Sequence, residues 1–597
     1  MYILGISCYY HDSACVLLKD NQLVAAAEEE RFSRKKHDYG FPGKSLDFCV
    51  NKAGIEDRDI DYVVFYEKTF LKFERILMSY LQTYPKSLKL FREAMISWVT
   101  EKLWIKENIG DKVNIAREKI LFVDHHYSHA ASAFLCSPFE ESAILTIDGV
   151  GEWTTQTLGV GKGNSINIFA EQRFPHSLGL LYSAFTAFLG FEVNEGEYKV
   201  MGMAPYGQPK YVDKIYKIVK LNEDGSFYLD PSYFSFYYHP ERTYTKKFEK
   251  LFGQPRNPKS RFVTSQTSIY DDKNPVTQQE MEQNQYYADM ASSIQKVTEE
   301  ILVSMANHLH QKTKLKKLCI AGGVGLNCVG TYHILKETPF EEIYVQPASG
   351  DSGGALGAAL FFYYSVLNKK RDFVFNNAYW GEEYSDSEIK KFLDDNCMKY
   401  EIAKSEDELL EKTVEGLVSG KVVGWFQGRF EWGPRALGNR SILADPRRAD
   451  MKDIVNIKIK FREPYRPFAP SVLKENVSEY FDVPKGDGGY PLRFMLLTLP
   501  VQEDKRNLIP ATTHVDGTGR LQAVYEDTNP LYYRLIEKFR DATGVPVVLN
   551  TSFNLRGEPI VTSPENAFNT FKNSGMDMLC MGNFIISKEG GVSSENI

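Results

Sequence analysis

The feature that most constrains this fold is a pattern that occurs twice. Tyr2–Cys8, Ala14–Leu18 and Leu23–Ala27 are short apolar runs, long enough for strands and too short for helices. The turn between the first two carries His11, Asp12 and Ser13, three groups able to contact a ligand. Residues 143–147 and 155–160 repeat the arrangement around the turn Asp148-Gly149-Val150-Gly151. A strand that ends on a glycine-flanked carboxylate presents it where open α/β sheets carry their ligands.

Two such units predict an α/β chain whose first half is the duplicated core of an actin-like, sugar-kinase-type ATPase fold. In that fold the two turns clasp nucleotide phosphates between the halves. A helix over 288–312 precedes a buried strand at 318–321, which runs into Gly322-Gly323 and, four residues on, Asn327. A second strand, 343–345, leads to Gly350-Asp351-Ser352-Gly353-Gly354. Glycine after a strand lets backbone approach a nucleotide, and the helix start that follows favours anions. The nucleotide candidates are therefore Asp12, Gly149, Gly322, Gly323, Asn327, Gly350 and Ser352. Glu197 and Lys199 are expected to bind nucleotide or acceptor, or else to hold a loop through a salt bridge.

The same region carries a candidate metal site. His125 and His129 are four residues apart, so on a helix both imidazoles share a face. That spacing lets one element give two nitrogen ligands to a divalent ion. Asp148 is the third candidate ligand. Asp351 opens a helix, where it either caps or binds metal. The alternative is a pair of histidines packed at a helix start.

A chain of 597 residues exceeds one core. The charged stretch Asn368–Asp372 places a boundary near 370–395, giving domains 1–370 and 371–597. The formal charge of -7 argues against a nucleic-acid partner. No apolar run reaches eighteen residues, so no spanning helix is expected, and the N-terminus is unlike a signal peptide. Eight cysteines without a CxxC pair read as buried thiols of a reducing, cytoplasmic compartment. In the second half, Arg435, Arg440, Ser441, Lys460 and Arg466 lie among glycines, prolines and aromatics that would be odd on an open face. Arginine forks bind planar oxyanions, so a phosphate or carboxyphosphate pocket is expected there. Arg520 is a further anion candidate, and Asn550, Ser552 and Asn554 follow a buried strand at 547–549.

Eleven ordered blocks, among them ILGISCYYHDSA, DHHYSHAASAF, GEYKVMGMAPYG, PASGDSGGALGAAL, FQGRFEWGPRALGNRSILADPR and LNTSFNLRGEPIV, resemble the NodU/CmcH family of O-carbamoyltransferases. The resemblance implies a metal-dependent transfer domain followed by a YrdC-like domain. The YrdC-like half would make carbamoyladenylate from carbamoyl phosphate and ATP, with magnesium accompanying the nucleotide. The first half would move the carbamoyl group to a hydroxyl of a small metabolite. His125, His129, Asp148 and Asp351 would hold iron(II), with manganese or zinc chemically admissible. His11 would accept the proton of the attacking hydroxyl. Arg435, Arg440, Ser441, Lys460, Arg466, Arg520, Asn550, Ser552 and Asn554 would bind carbamoyl phosphate and ATP. A homodimer is compatible with this reading. Two other classes share this fold: a threonylcarbamoyl transferase acting on tRNA, against which the fused YrdC-like half and the lack of strong positive charge count, and a non-catalytic nucleotide-binding protein, in which a His/His/Asp/Asp set would be wasted.

Overall fold

The computed structural model describes residues 1–239, 242–267 and 275–588. Contacts divide the chain into two compact units. One holds Met1–Glu29, His37–Gln266 and the described part of 271–375; the other holds Glu30–Lys36, Thr267 and the described part of Asn376–Ile597.

The first unit is built on two five-stranded sheets. One contains β1 (Tyr2–Ser7), β2 (Ala14–Lys19), β3 (Gln22–Glu28), β4 (Tyr62–Phe65) and β5 (Ile120–Phe122), in the order β3-β2-β1-β4-β5. The other contains β6 (Glu141–Ile147), β7 (Thr154–Lys162), β8 (Ser165–Arg173), β11 (Lys317–Ala321) and β12 (Glu342–Val345), in the order β12-β11-β6-β7-β8. Each sheet begins with an antiparallel three-strand meander, and two further strands then pair in parallel with the meander's first strand and with each other. The two sheets share one topology, the duplication of the actin-like fold. A small hairpin, β9 (Val219–Leu221) with β10 (Phe227–Leu229), lies in the 210–285 stretch, where the sequence offered no motif.

One helix, Asp351–Leu360, sits at the centre of this unit, and all ten of its residues are buried. Its small residues let backbone meet backbone. A Cβ on Gly5 of β1 would lie 2.0 Å from the Ala355 carbonyl oxygen, and one on Gly357 would lie 1.8 Å from the Ser128 carbonyl oxygen. The helix therefore touches both β1 and the helix His125–Phe134, and this contact brings distant segments to one point.

The second unit is a mixed α/β layer. Its eight-stranded sheet contains β13 (Glu401–Ile402), β14 (Val423–Phe426), β15 (Arg440–Ala444), β16 (Ala469–Leu473), β19 (Gln522–Val524), β20 (Val547–Ser552), β21 (Met578–Met581) and β22 (Phe584–Ser587). β17 (Thr498–Pro500) and β18 (Thr518–Arg520) pair with each other as a separate two-stranded sheet. Glu30–Lys36 belongs here through Arg31, which donates to the Gly433 carbonyl at 2.5 Å, and Arg34, which donates to those of Pro559 and Ile560.

Two elements run longer than their apolar signal. The helix expected over 288–312 spans Gln278–Thr313, started by the Thr277 side chain accepting from the Glu280 amide. The strand at 547–549 continues to Ser552 because Thr551 and Ser552 pair with Ile442 and Ser441. Seven cysteines are buried and Cys397 is exposed. No described helix is long and apolar enough to cross a membrane.

Candidate metal centre and active site

The helix His125–Phe134 starts on a carboxylate supplied from elsewhere. Glu152 accepts from the His125 amide at 3.0 Å and from the Lys68 amide at 2.7 Å, satisfying a donor that a helix start leaves open. From this helix His125 and His129 project side by side, their Nε2 atoms 3.0 Å apart. Asp148, the residue after β6, places Oδ2 at 3.1 Å from His125 Nε2 and 3.9 Å from His129 Nε2. Asp351 Oδ1 lies 3.7 and 3.8 Å from the same two nitrogens. All four side chains are buried, and their ligand atoms fall within 4.8 Å of one another. Asp351 is the first residue of its helix and makes no capping bond; its carboxylate faces the cluster instead.

This donor set fits a divalent ion. Bonds of about 2.1 Å to a tetrahedral ion put neighbouring ligand atoms about 3.4 Å apart, in the middle of the observed spacings. Each carboxylate also has its second oxygen fixed, Asp148 Oδ1 by the Gly323 amide at 3.0 Å and Asp351 Oδ2 by the Tyr66 hydroxyl at 3.2 Å. Such outer contacts orient metal ligands. Burial pulls the His125 pKa down to about 3, keeping the neutral, ligating form. Burial, with Asp148 beside it, pushes Asp351 up to about 6. Burial opposes the charge on Asp148, but hydrogen bonds from the two histidines outweigh it and hold its carboxyl well below the usual range. His126 faces away, bonded to Thr146 Oγ1 at 2.6 Å and the Thr154 carbonyl at 2.9 Å.

The turn after β1 carries a second constellation. Asp12 lies between two imidazoles, 2.9 Å from His11 Nδ1 and 2.7 Å from His37 Nδ1. Burial disfavours the imidazolium of His11, yet Asp12 and Asp351 outweigh burial and raise its pKa well above the ordinary value. Holding Nδ1 on a carboxylate leaves Nε2 for a reacting group, the arrangement of an oriented base.

The other candidates of this unit divide. Gly322 has φ 97°, and a Cβ there would lie 2.1 Å from the Ile147 carbonyl oxygen, so it permits β11 to pass close to β6. Gly323 serves Asp148 directly. The Gly149 carbonyl accepts from Ser177 at 2.6 Å. Gly350 has open space about its Cα and Ser352 is buried beside Asp351. Asn327 is corrected to a structural role: its Oδ1 caps the helix Cys328–Glu337 at the Gly330 amide, and its amide group pairs with Gln295. Glu197 Oε1 accepts from Ser183 Oγ and the Asn194 amide. Lys199 makes no ion pair among the described residues and sits over Phe191, so the salt bridge weighed for this pair does not form.

In the second unit three candidates converge. Lys460 Nζ reaches Asn554 Oδ1 at 2.7 Å, the Asn554 carbonyl at 3.0 Å, Ser552 Oγ at 3.2 Å and the Ser552 carbonyl. Burial, then Arg462 and Arg466, lower the Lys460 pKa well below its ordinary value. Arg435, Arg466 and Arg520 are half-buried. Ser441 Oγ accepts from the Gly438 amide. Trp432, Leu437, Tyr465 and Phe468 are buried, so these cations do not lie on an open face. Two expectations need correction. The Arg440 guanidinium is fully buried and donates to the carbonyls of Gln427, Asn439, Gly428 and Glu382 at 2.6–3.3 Å; it clamps the loop and offers no fork to an anion. Asn550 is buried within the sheet layer, its amide directed to Ala436, Ser471 and Gln522.

Sequence reading missed His37, Tyr66 and Glu67. Glu67 Oε2 accepts from Lys72 Nζ at 2.6 Å and lies 3.9 Å from His125 Nδ1. Tyr66 and Glu67 follow β4 directly, the position past a parallel strand end where ligand-facing groups gather, and that signal could have found them.

Fold and site together define an actin-like α/β enzyme core with a buried His/His/Asp/Asp centre at the strand ends of its duplicated halves. Residues 2–360 match the family model described as carbamoyltransferase N-terminus, and residues 414–588 match carbamoyltransferase C-terminus. An uncharacterised protein of Synechocystis sp. is 44% identical, over 98% of this chain and 97% of its own length. Nodulation protein NolNO of Sinorhizobium fredii is 38% identical over 97% of this chain and 79% of its own length. The 3'-hydroxymethylcephem-O-carbamoyltransferase of Amycolatopsis lactamdurans is 33% identical over 44% of this chain and 48% of its own length. The chain belongs to the carbamoyltransferase family, and it is a carbamoyltransferase.

Proposed function

We propose that this enzyme is an ATP-dependent O-carbamoyltransferase acting on a hydroxyl of a small molecule. A carbamoyl carbon is a weak electrophile because nitrogen donates into the carbonyl, so it needs a good leaving group. In the second unit, water converts carbamoyl phosphate to carbamate and phosphate; a carbamate oxygen then attacks the α-phosphorus of ATP, and pyrophosphate leaves. Lys460, with the Ser552 and Asn554 groups it holds, and Arg435, Arg466 and Arg520 supply the cationic and hydrogen-bonding groups for these anions. Arg440 keeps the 427–440 loop in shape.

In the first unit the acceptor oxygen attacks the carbamoyl carbon. The bond to AMP breaks, AMP leaves with the electron pair, and the hydroxyl proton passes to His11 Nε2. Asp12 holds the His11 ring and stabilises the imidazolium that forms. Asp12 and the glycine turns at Gly149, Gly322–Gly323 and Gly350–Ser352 form the nucleotide cradle, with Glu197 and Lys199 near the acceptor or nucleotide. A divalent ion held by His125, His129, Asp148 and Asp351, iron(II) by family resemblance, would neutralise phosphate charge and polarise the reacting group when bound.

The observation that carries this reading is the oriented His11–Asp12 pair beside a complete four-ligand centre, which a non-catalytic nucleotide sensor would not require. The test is incubation with ATP and carbon-labelled carbamoyl phosphate, without tRNA or threonine. Pyrophosphate release that depends on carbamoyl phosphate, with label recovered as carbamoyladenylate, is expected. Label transfer only in the presence of tRNA and threonine would overturn the reading.

A further inference from the structure

The helix Thr69–Gln82 turns an unusual face inward: its buried residues are Thr69, Lys72, Arg75 and Ser79, all polar. Lys72 and Arg75 are one turn apart, so they share a face. The charge of Lys72 is balanced by Glu67 at 2.6 Å. Arg75 forms no ion pair among the described residues, and Glu67 and Glu152 act on its charge only from farther away. The residue is 7% exposed, its Nε is sealed from solvent without a hydrogen bond, and among the described residues no carboxylate or carbonyl accepts from its guanidinium. Its close neighbour is the ring of Phe174, 5.2 Å away. A buried guanidinium with open donors is costly, and an anionic oxygen group is the ligand it fits.

This cation is linked to the reacting base by a short path. Lys72 Nζ lies 4.2 Å from the centre of the Tyr10 ring, and the Tyr10 ring is tilted by 39° against that of His11 with centroids 4.9 Å apart. An acceptor with its hydroxyl at His11 and its body over Tyr10 would therefore bring its far end toward Lys72 and Arg75. We infer that the acceptor is an acidic hydroxylated metabolite, a carboxylate- or phosphate-bearing polyol or sugar, and that Arg75 is the residue that binds its anionic group. This rests on the proposed O-carbamoyl transfer and adds the class of substrate.

The test uses the full-length, metal-loaded enzyme with three probes of one hydroxyl frame: glucuronate, glucose and glucosamine. Binding is followed by calorimetry and carbamoyl transfer by mass spectrometry. Glucuronate is expected to bind at least tenfold more tightly than glucose and to be carbamoylated faster. Arg75→Gln should remove that preference, and Arg75→Lys should keep part of it, while bound metal and carbamoyladenylate formation stay at wild-type levels. A hydrogen-bonded charge pair accounts for a preference on the order of 10- to 100-fold. Equal binding of the three probes, binding of none, or a preference for glucosamine overturns the inference. So does an Arg75→Gln variant that loses affinity for ATP with the preference intact, since the arginine would then serve the nucleotide. If no carbamoyladenylate forms with wild-type enzyme, it is the underlying transfer reading that fails, and this is read out separately from probe binding.

Discussion

Replacing Gly357 by alanine tests whether the metal centre depends on the contact between two helices. His125 and His129 come from one helix and Asp351 from the other, and Gly357 is where the two backbones meet. An added Cβ would stand 1.8 Å from the Ser128 carbonyl oxygen and 2.8 Å from the Ser132 nitrogen. Ordinary contact begins at 3.4 Å, so the shortfall is about 1.6 Å. The obstacle is helix backbone, which no rotamer change relieves, so the helices must separate. Ligand distances tolerate only about 0.2 Å, and a far smaller movement than 1.6 Å would spoil the geometry. Overpacking of this kind costs about 1–3 kcal/mol, and metal affinity should fall at least as steeply as for loss of an outer-shell contact, about 10- to 100-fold. The assay is metal content by mass spectrometry after dialysis against graded free metal, with melting of the metal-free protein alongside. Gly350→Ala, whose Cβ would meet nothing within 4 Å, is the control and should keep its metal. A Gly357→Ala protein with wild-type metal affinity and unchanged melting would refute the argument.

His11→Asn keeps a hydrogen-bonding side chain but cannot accept a proton near neutral pH, so transfer should slow by about 10²–10⁴-fold while carbamoyladenylate accumulates. In the wild type the acidic limb of the transfer rate should lie above pH 6.5, because the neutral base is needed and burial is outweighed by Asp12, on its Nδ1, which raises its pKa; a limb that survives unchanged in the asparagine variant would assign it to another group. Metal binding needs His129 neutral and Asp351 ionised. Burial opposes the His129 imidazolium, but Asp148 and Asp351 outweigh it and hold the His129 pKa above its ordinary value of 6.5, and burial pushes Asp351 up to about 6. Metal affinity should therefore begin to fall already above pH 6.5 and more steeply below about pH 6; equilibrium dialysis between about pH 5 and 8 measures this. Arg440→Ala should lower stability by about 3 kcal/mol or more, through carbonyls left without a charged donor, yet leave carbamoyladenylate formation in the folded protein. Lys460→Ala, which also leaves the Ser552 and Asn554 oxygens without their buried donor, should lower the unfolding midpoint and abolish carbamoyladenylate formation in the protein that folds. The reverse pattern would exchange the two roles.

The duplicated core, the helix bearing His125 and His129 and the carboxylate past β6 were legible in the chain because each depends on local spacing. Period-two and period-four patterns decide which side chains share a face before any tertiary contact forms. Strand ends that empty into glycine, as at Asp148 and Gly322, carry the same kind of local information. The roles of the buried cations did not. Arg440 and Lys460 look alike in sequence, one set among glycines and aromatics and the other among prolines and aromatics, yet one clamps a loop and the other meets groups 92 and 94 residues away. Asn327 sits in a glycine-rich turn that suits a nucleotide, but a helix start and Gln295 take up its amide. Glu67 and Arg75 gain meaning only because helix packing sets one in an ion pair with Lys72 and leaves the guanidinium of the other without a hydrogen-bonded partner among the described residues. Pattern along the chain decides which groups are available; burial and long-range partners decide which of them remain open to a ligand, because a polar group inside a fold must be satisfied by whatever the packing brings near.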